Sequence, residues 1–202
     1  MLFFSHFLYG LLMGYGGLLA PGMLNMTAVR YAIDRGLKQG VIFSAGAALV
    51  VFIQAMIALF FADYLNKHPH ILDNLTLAGV FVFFALAVFF FLQARKKFKG
   101  EGKRKKGSVF FTGVFMSSIN MLAVPFYLAI SAYLSSKDKL ILEQPYIVIF
   151  IVGASLGAFL LFITYAYFAS YITKKVQFIA KNINYILSIL FLVLGIVTIT
   201  KL

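Results

Sequence analysis

The sequence predicts an all-α integral membrane protein, with six transmembrane helices arranged as two inverted three-helix repeats. Three observations predict it. The first is composition: of 202 residues 62% are hydrophobic and only 12% charged, with a mean hydropathy of +0.96, whereas a soluble domain carries about a quarter charged residues. The second is six apolar stretches, each near the roughly 20 residues a helix needs to cross the hydrocarbon core. The third is an internal echo. Leu24-Asn25-Met26-Thr27-Ala28-Val29 recurs as Ile119-Asn120-Met121-Leu122-Ala123-Val124, 95 positions later.

The six stretches cover residues 3–30, 38–62, 72–94, 108–134, 146–173 and 183–200. They divide the chain into a first repeat (1–94), a basic linker (95–107) and a second repeat (108–202). The short loops leave no room for a soluble domain. The start, Met1-Leu2-Phe3-Phe4-Ser5-His6, lacks the basic region of a cleaved signal, so span one is expected to stay.

Span one carries the most informative segment, Gly16 through Val29. Pro21 removes a backbone donor and strains the preceding turn. Gly22 allows close approach, and Asn25 puts an amide where lipid offers it no partner. Broken backbone is tolerated at membrane depth only where protein or a watery cavity satisfies it. Span two holds Gln54 near its middle and Asp63 near its outer end.

Span four repeats the pattern of span one, with Ser117 and Ser118 a turn before Asn120 and Pro125 five residues after it. Span five carries Tyr165 and Tyr167. It also matches span two twice at one offset: Gly46-Ala47-Ala48-Leu49 with Gly153-Ala154-Ser155-Leu156, and Phe61-Ala62-Asp63-Tyr64 with Phe168-Ala169-Ser170-Tyr171. Spans three and six match more loosely, at Val80-Phe81-Val82 and Leu190-Phe191-Leu192. Each half has three spans, an odd number, so the second half enters from the opposite side, an architecture suited to alternating access.

The expected solute contacts are Pro21, Gly22, Asn25, Gln54, Ser117, Asn120 and Tyr165. For the asparagines, interhelical hydrogen bonding is an equal alternative. Gly14, Gly16, Gly17, Gly46 and Gly153 are expected as close-packing positions.

Charge sets the orientation. The net charge is +12, and the basic residues fall in loops rather than forming a nucleic-acid surface. Loops one, three and five hold 14 Lys and Arg against 4 on the other side. The positive-inside rule then places those loops in the cytoplasm and both termini outside the inner membrane. The third loop, Gln93 to Ser108, is expected as a flexible linker against anionic headgroups.

No ionisable side chain falls at a bilayer centre. Asp34 and Asp63 are the candidates for coupling to a proton or sodium ion. A surface ion pair with Arg30 or Lys38 is the plainer use of Asp34. His6, His68 and His70 are expected solvated or interfacial at the outer face rather than as a metal site. There is no cysteine, which excludes disulfides, zinc-thiolate sites and thiol nucleophiles. No cofactor and no nucleotide-binding loop is indicated.

The residues resemble the lysine exporter (LysE/RhtB-type) family over the whole chain. The resemblance rests on the glycine-rich first helix with Pro21-Gly22 and Asn25, on Gly36, Gly40 and Ala45-Gly46, and on Gly113-Val114-Phe115 followed by Asn120 and Ala123. It implies a six-span inner-membrane exporter of amino acids or related metabolites, and it makes a homodimer reasonable. Two departures stand out. Met23 replaces the second proline of the family's Pro-Gly-Pro, and Met121-Leu122 replace the Pro-Lys that follows asparagine in its fourth helix. The missing lysine points to a less charged solute. The competing readings are a membrane channel or a non-transporting scaffold. An intramembrane enzyme lacks its residues, because no histidine base is expected inside the bundle.

Overall fold

The computed structural model describes residues 1–68, 81, 84–89, 91–92, 95, 108–120, 122–169, 171 and 177–200. Among them all regular structure is helical: α1 (Leu2–Gly17), α2 (Met23–Arg35), α3 (Leu37–Lys67), α4 (Val109–Ile119), α5 (Ala123–Ser136), α6 (Tyr146–Tyr167) and α7 (Gln177–Ile199). Two of these, α3 and α6, are long and apolar enough to cross a membrane, and α4 with α5 makes a third if the bent pair counts as one span. Most of span three lies outside the described residues.

Spans one and four are each split in two. Span one breaks between Gly17 and Met23, where Pro21 cannot continue the hydrogen-bond ladder and Gly22 is extended (φ −105°, ψ −176°). Span four breaks at Asn120, and the axes of α4 and α5 differ by 63°. Pro125 does not cause that break. It sits in the first turn of α5, where a missing N–H costs nothing. One residue joins α2 to α3: Gly36, whose φ of +88° suits glycine alone.

The chain forms two compact units. The first, residues 1–64 and 106–175, contains both breaks. Its core gathers Phe43, Leu59, Tyr127, Phe150 and Phe162, all fully buried. Opposite the buried face, Val148, Val152, Leu156 and Leu160 run along α6 at four-residue intervals, exposed and apolar. A helix that is apolar both inward and outward is built for lipid.

Glycines set how closely these helices approach. Gly10 and Gly14 of α1 lie against the backbone of Phe150 and Ala154, while Gly153 and Gly157 of α6 lie against that of Phe7 and Leu11. These small-xxx-small pairs bring two backbones into contact, and contact numbers rising together make the helices parallel. The same arrangement joins α3 to α4: Gly46 lies on the Phe110 carbonyl and Gly113 on that of Phe43. Gly113 follows Gly10, and Phe110 follows Phe7, by the same 103 positions. Gly153 follows Gly46, and Phe150 follows Phe43, by the same 107. The packing therefore relates α4 to α1 in a different register from the 95 of the sequence echo. Gly17 meets the Phe126 ring, whereas Gly16, expected at a close contact, has nothing beside it.

The second unit, residues 65–105 and 176–202, pairs the helical stretch around 84–92 with α7. Gly195 faces the Phe84 ring, Ser188 Oγ donates to the Ala87 carbonyl at 2.9 Å, and Phe91 meets Tyr185 edge-on. Numbers rising on one side and falling on the other make this pair antiparallel.

Candidate functional site

Each break frees backbone carbonyls inside an apolar bundle, and an unsatisfied carbonyl there costs several kcal/mol, on the order of a lost hydrogen bond or more. At the first break three successive carbonyls are covered. Asn25 Nδ2 donates to the Leu18 and Ala20 oxygens, both at 2.9 Å. The Tyr165 hydroxyl of α6 donates to the Leu19 oxygen at 2.7 Å. Asn25 is buried at 3% exposure, and its side chain also lies beside the Tyr165 hydroxyl. Pro21 is also buried.

At the second break the donor comes from α3. Gln54 Nε2 donates to the Ser117 oxygen at 3.1 Å and to the Asn120 oxygen at 3.0 Å. Among the described residues, Gln54 Oε1 and Ser117 Oγ there remain without a hydrogen-bond partner, as does the Tyr127 hydroxyl of α5. Ser117 and Tyr127 are fully buried. Atoms like these, inside a bundle, have capacity for a ligand or water that the protein itself leaves unused.

The sequence-predicted residues thus separate into two groups. Pro21, Gly22, Asn25 and Tyr165 meet at the first break, and Gln54, Ser117 and Asn120 at the second. The two asparagines are not equivalent. Asn25 is the third residue of α2 and holds the break closed, whereas Asn120 is part of its break, half-buried, with no side-chain partner among the described residues. Ser118 turns outward and bonds its own helix at the Val114 oxygen, and Tyr167 is exposed. Neither joins a break.

The carboxylates stand apart from both. Asp34 is exposed and paired with Arg30 Nε at 3.3 Å. Asp63 is half-buried near the end of α3, nine residues or about 13 Å of helix rise beyond Gln54. The described side chains brought to the two breaks are all neutral. No group of three or more His, Asp or Glu suited to a metal occurs among the described residues. His6 differs from expectation, being buried rather than solvated, and His70 lies outside the described residues. Tyr127 escaped the sequence reading. It lies seven residues after Asn120, in the second turn of α5, and the break interrupts the periodicity that would have linked them.

The family model of LysE type translocators matches residues 16–202, a span that contains both breaks and every helix from α2 to α7. The chain belongs to the LysE type translocator family. No curated protein and no solved structure matches it. Membership, together with apolar helices of spanning length, makes this translocator a membrane protein of a transporter family rather than an enzyme family. The match begins at Gly16, so the whole of the first break lies inside it and most of α1 lies before it.

Proposed function

We propose that this translocator is a secondary exporter of amino acids or related small metabolites. It would work across the inner membrane by alternating access, driven by a proton or sodium gradient. The observation that carries the reading is the pair of broken helices whose freed carbonyls are held by side chains from α2, α3 and α6. A lipid anchor or scaffold has no use for two breaks that each need a dedicated donor. A transporter does, because half-helix ends at the midplane present backbone dipoles to a solute.

The chemistry of the breaks supports a zwitterionic or uncharged polar solute. The N-terminal ends of α2 and α5 point unpaired N–H groups toward negative charge. Carbonyl oxygens, Gln54 Oε1, Ser117 Oγ and Tyr127 offer acceptors to an ammonium or hydroxyl group. With the described side chains there all neutral, neither a bare anion nor a bare cation is favoured. Pro21, Gly22, Asn25, Gln54, Ser117, Asn120 and Tyr165 are assigned to this solute path, with Tyr127 added. Of the two carboxylates, half-buried Asp63 suits coupling better than Asp34, which is engaged at the surface.

The reciprocal glycine contacts support two inverted repeats. The contacts of α1 with α6 return between α4 and α3 at constant offsets. Ser155 Oγ also donates to the Ala48 carbonyl at 3.0 Å, and these two positions are themselves 107 apart, so they would meet on the symmetry axis. Parallel α1 and α6 require an odd number of crossings between them. With α3 and the bent α4–α5 supplying two, residues 72–94 would supply a third, in keeping with six spans and both termini outside.

The test compares extracellular metabolites from cells carrying the wild-type chain, Asn120→Ala, or Asn25→Ala with Asn120→Ala, at matched membrane levels. Asn120→Ala is the sharper variant, because that side chain has no hydrogen-bond partner among the described residues. A solute exported by wild type and lost in both variants supports the reading. Undiminished export in the double variant removes the site assignment.

A further inference from the structure

His6 sits in the first two turns of α1, in apolar surroundings, at 1% exposure. Both of its ring nitrogens are engaged. Nδ1 lies 2.6 Å from the Leu2 carbonyl oxygen, and the Ile141 backbone N–H donates to Nε2 at 3.0 Å. A carbonyl can only accept and an amide N–H can only donate. The proton therefore sits on Nδ1 and the lone pair on Nε2, so the structure specifies the neutral ring at both positions. The Tyr146 ring covers one face, with centroids 4.8 Å apart.

Ile141 belongs to the connection between α5 and α6, whose Leu140 and Leu142 are also buried. His6 thus ties the start of α1 to a segment 135 residues away. A second proton on the ring would point at the Ile141 N–H, donor against donor, and the tie would be lost. The surrounding titratable groups give the imidazolium no partner. Lys137, Asp138, Lys139 and Glu143 on the connection are exposed, as is Met1 at the start of the chain, and Tyr146 offers a ring face. No carboxylate pairs with His6 among the described residues.

We propose that His6 is a proton-binding site, and that its protonation releases the α5–α6 connection from the start of α1. The sign follows from the bonded state. The neutral ring makes the tie, so the tie is present while Nε2 is bare and lost when Nε2 takes up a proton. Release frees the far end of α5, the half-helix that follows the second break. His6 precedes the residues that the family model covers, and the inference does not depend on what the protein carries.

The test is hydrogen exchange of the Ile141 amide in the full-length protein in lipid nanodiscs, corrected for the intrinsic pH dependence of exchange. In wild type, protection is expected at about pH 7.5 and to fall about tenfold at about pH 5. In His6→Gln, whose side-chain oxygen can accept the same N–H without titrating, protection is expected to stay constant. Equal protection of the wild type at both pH values, or the same acid loss in His6→Gln, overturns the proposal. Should His6→Gln fail to fold, ¹⁵N spectra of the wild-type ring decide. A bare Nε2 at neutral pH that gains its proton as Ile141 loses protection supports the proposal, and an Nε2 already protonated at neutral pH overturns it.

Discussion

Gln54 of α3 holds the Ser117 carbonyl of α4 at 3.1 Å, and with the same amide nitrogen it holds Asn120, the residue at which that helix breaks. One side chain covers two backbone groups that lipid cannot solvate. Gln54→Leu keeps the volume and removes the donor. It is expected to cost about 1–3 kcal/mol, the range for stranding a buried polar group, and to reduce export at least severalfold. Thermal melting in detergent, alongside export at matched expression, measures both. Unchanged values for each would mean that the break does not rely on Gln54.

Tyr165 plays the matching part at the first break, reaching from α6 to the Leu19 oxygen. Tyr165→Phe leaves the ring in place and removes only the hydroxyl. Hydrogen bonds between membrane helices contribute on the order of 0.6 kcal/mol, so a small loss of stability is expected. Export should fall more than stability does if the first break carries the solute as proposed. A fall in stability with no change in export would make Tyr165 a packing residue only.

The glycines divide sharply. A Cβ at Gly10, Gly14, Gly113 or Gly153 would strike a backbone carbonyl of the facing helix, whereas one at Gly16 would meet nothing. Forcing packed helices apart costs about 1–3 kcal/mol, so Gly14→Ala and Gly113→Ala should lower the melting temperature by several degrees. Gly16→Ala should be neutral or slightly stabilising. Equal behaviour of all three would contradict the helix approach described above.

Asp34 forms an exposed pair with Arg30, a kind of contact that contributes about 0–1 kcal/mol. Asp34→Asn is therefore expected to leave stability and gradient-driven export nearly unchanged. Asp63→Asn is expected to uncouple export from the ion gradient while leaving downhill exchange intact. Loss of coupling in the first variant and not in the second would exchange their roles.

The helical membrane class and the first break were legible because apolar length and Pro-Gly are local signals, whereas the second break, at Asn120, carries no such pair. The involvement of Asn25, Gln54 and Tyr165 was legible too, since a polar group deep in an apolar span must find a partner. Their partners were not legible. The Leu18, Leu19 and Ala20 carbonyls are backbone atoms that no side-chain pattern marks, and Asn25 spends its amide on them. The likeness of Asn25 to Asn120 misled for the same reason: identical residues stand on different sides of their breaks. Gly10 and Gly113 make equivalent backbone contacts 103 positions apart, and only such a contact requires glycine there. His6 looked interfacial by its place near the chain start, and its burial depends on a partner 135 residues away.

The central claim is that a solute binds at the two breaks and is carried by alternating access. The most direct measurement is counterflow in proteoliposomes preloaded with the solute identified by metabolite comparison, with labelled solute outside. Saturable, transient accumulation of label with wild type, absent with Asn120→Ala, is the result expected. Label entry that never saturates, or that is unaffected by preloading, would contradict a carrier and identify the protein as a channel.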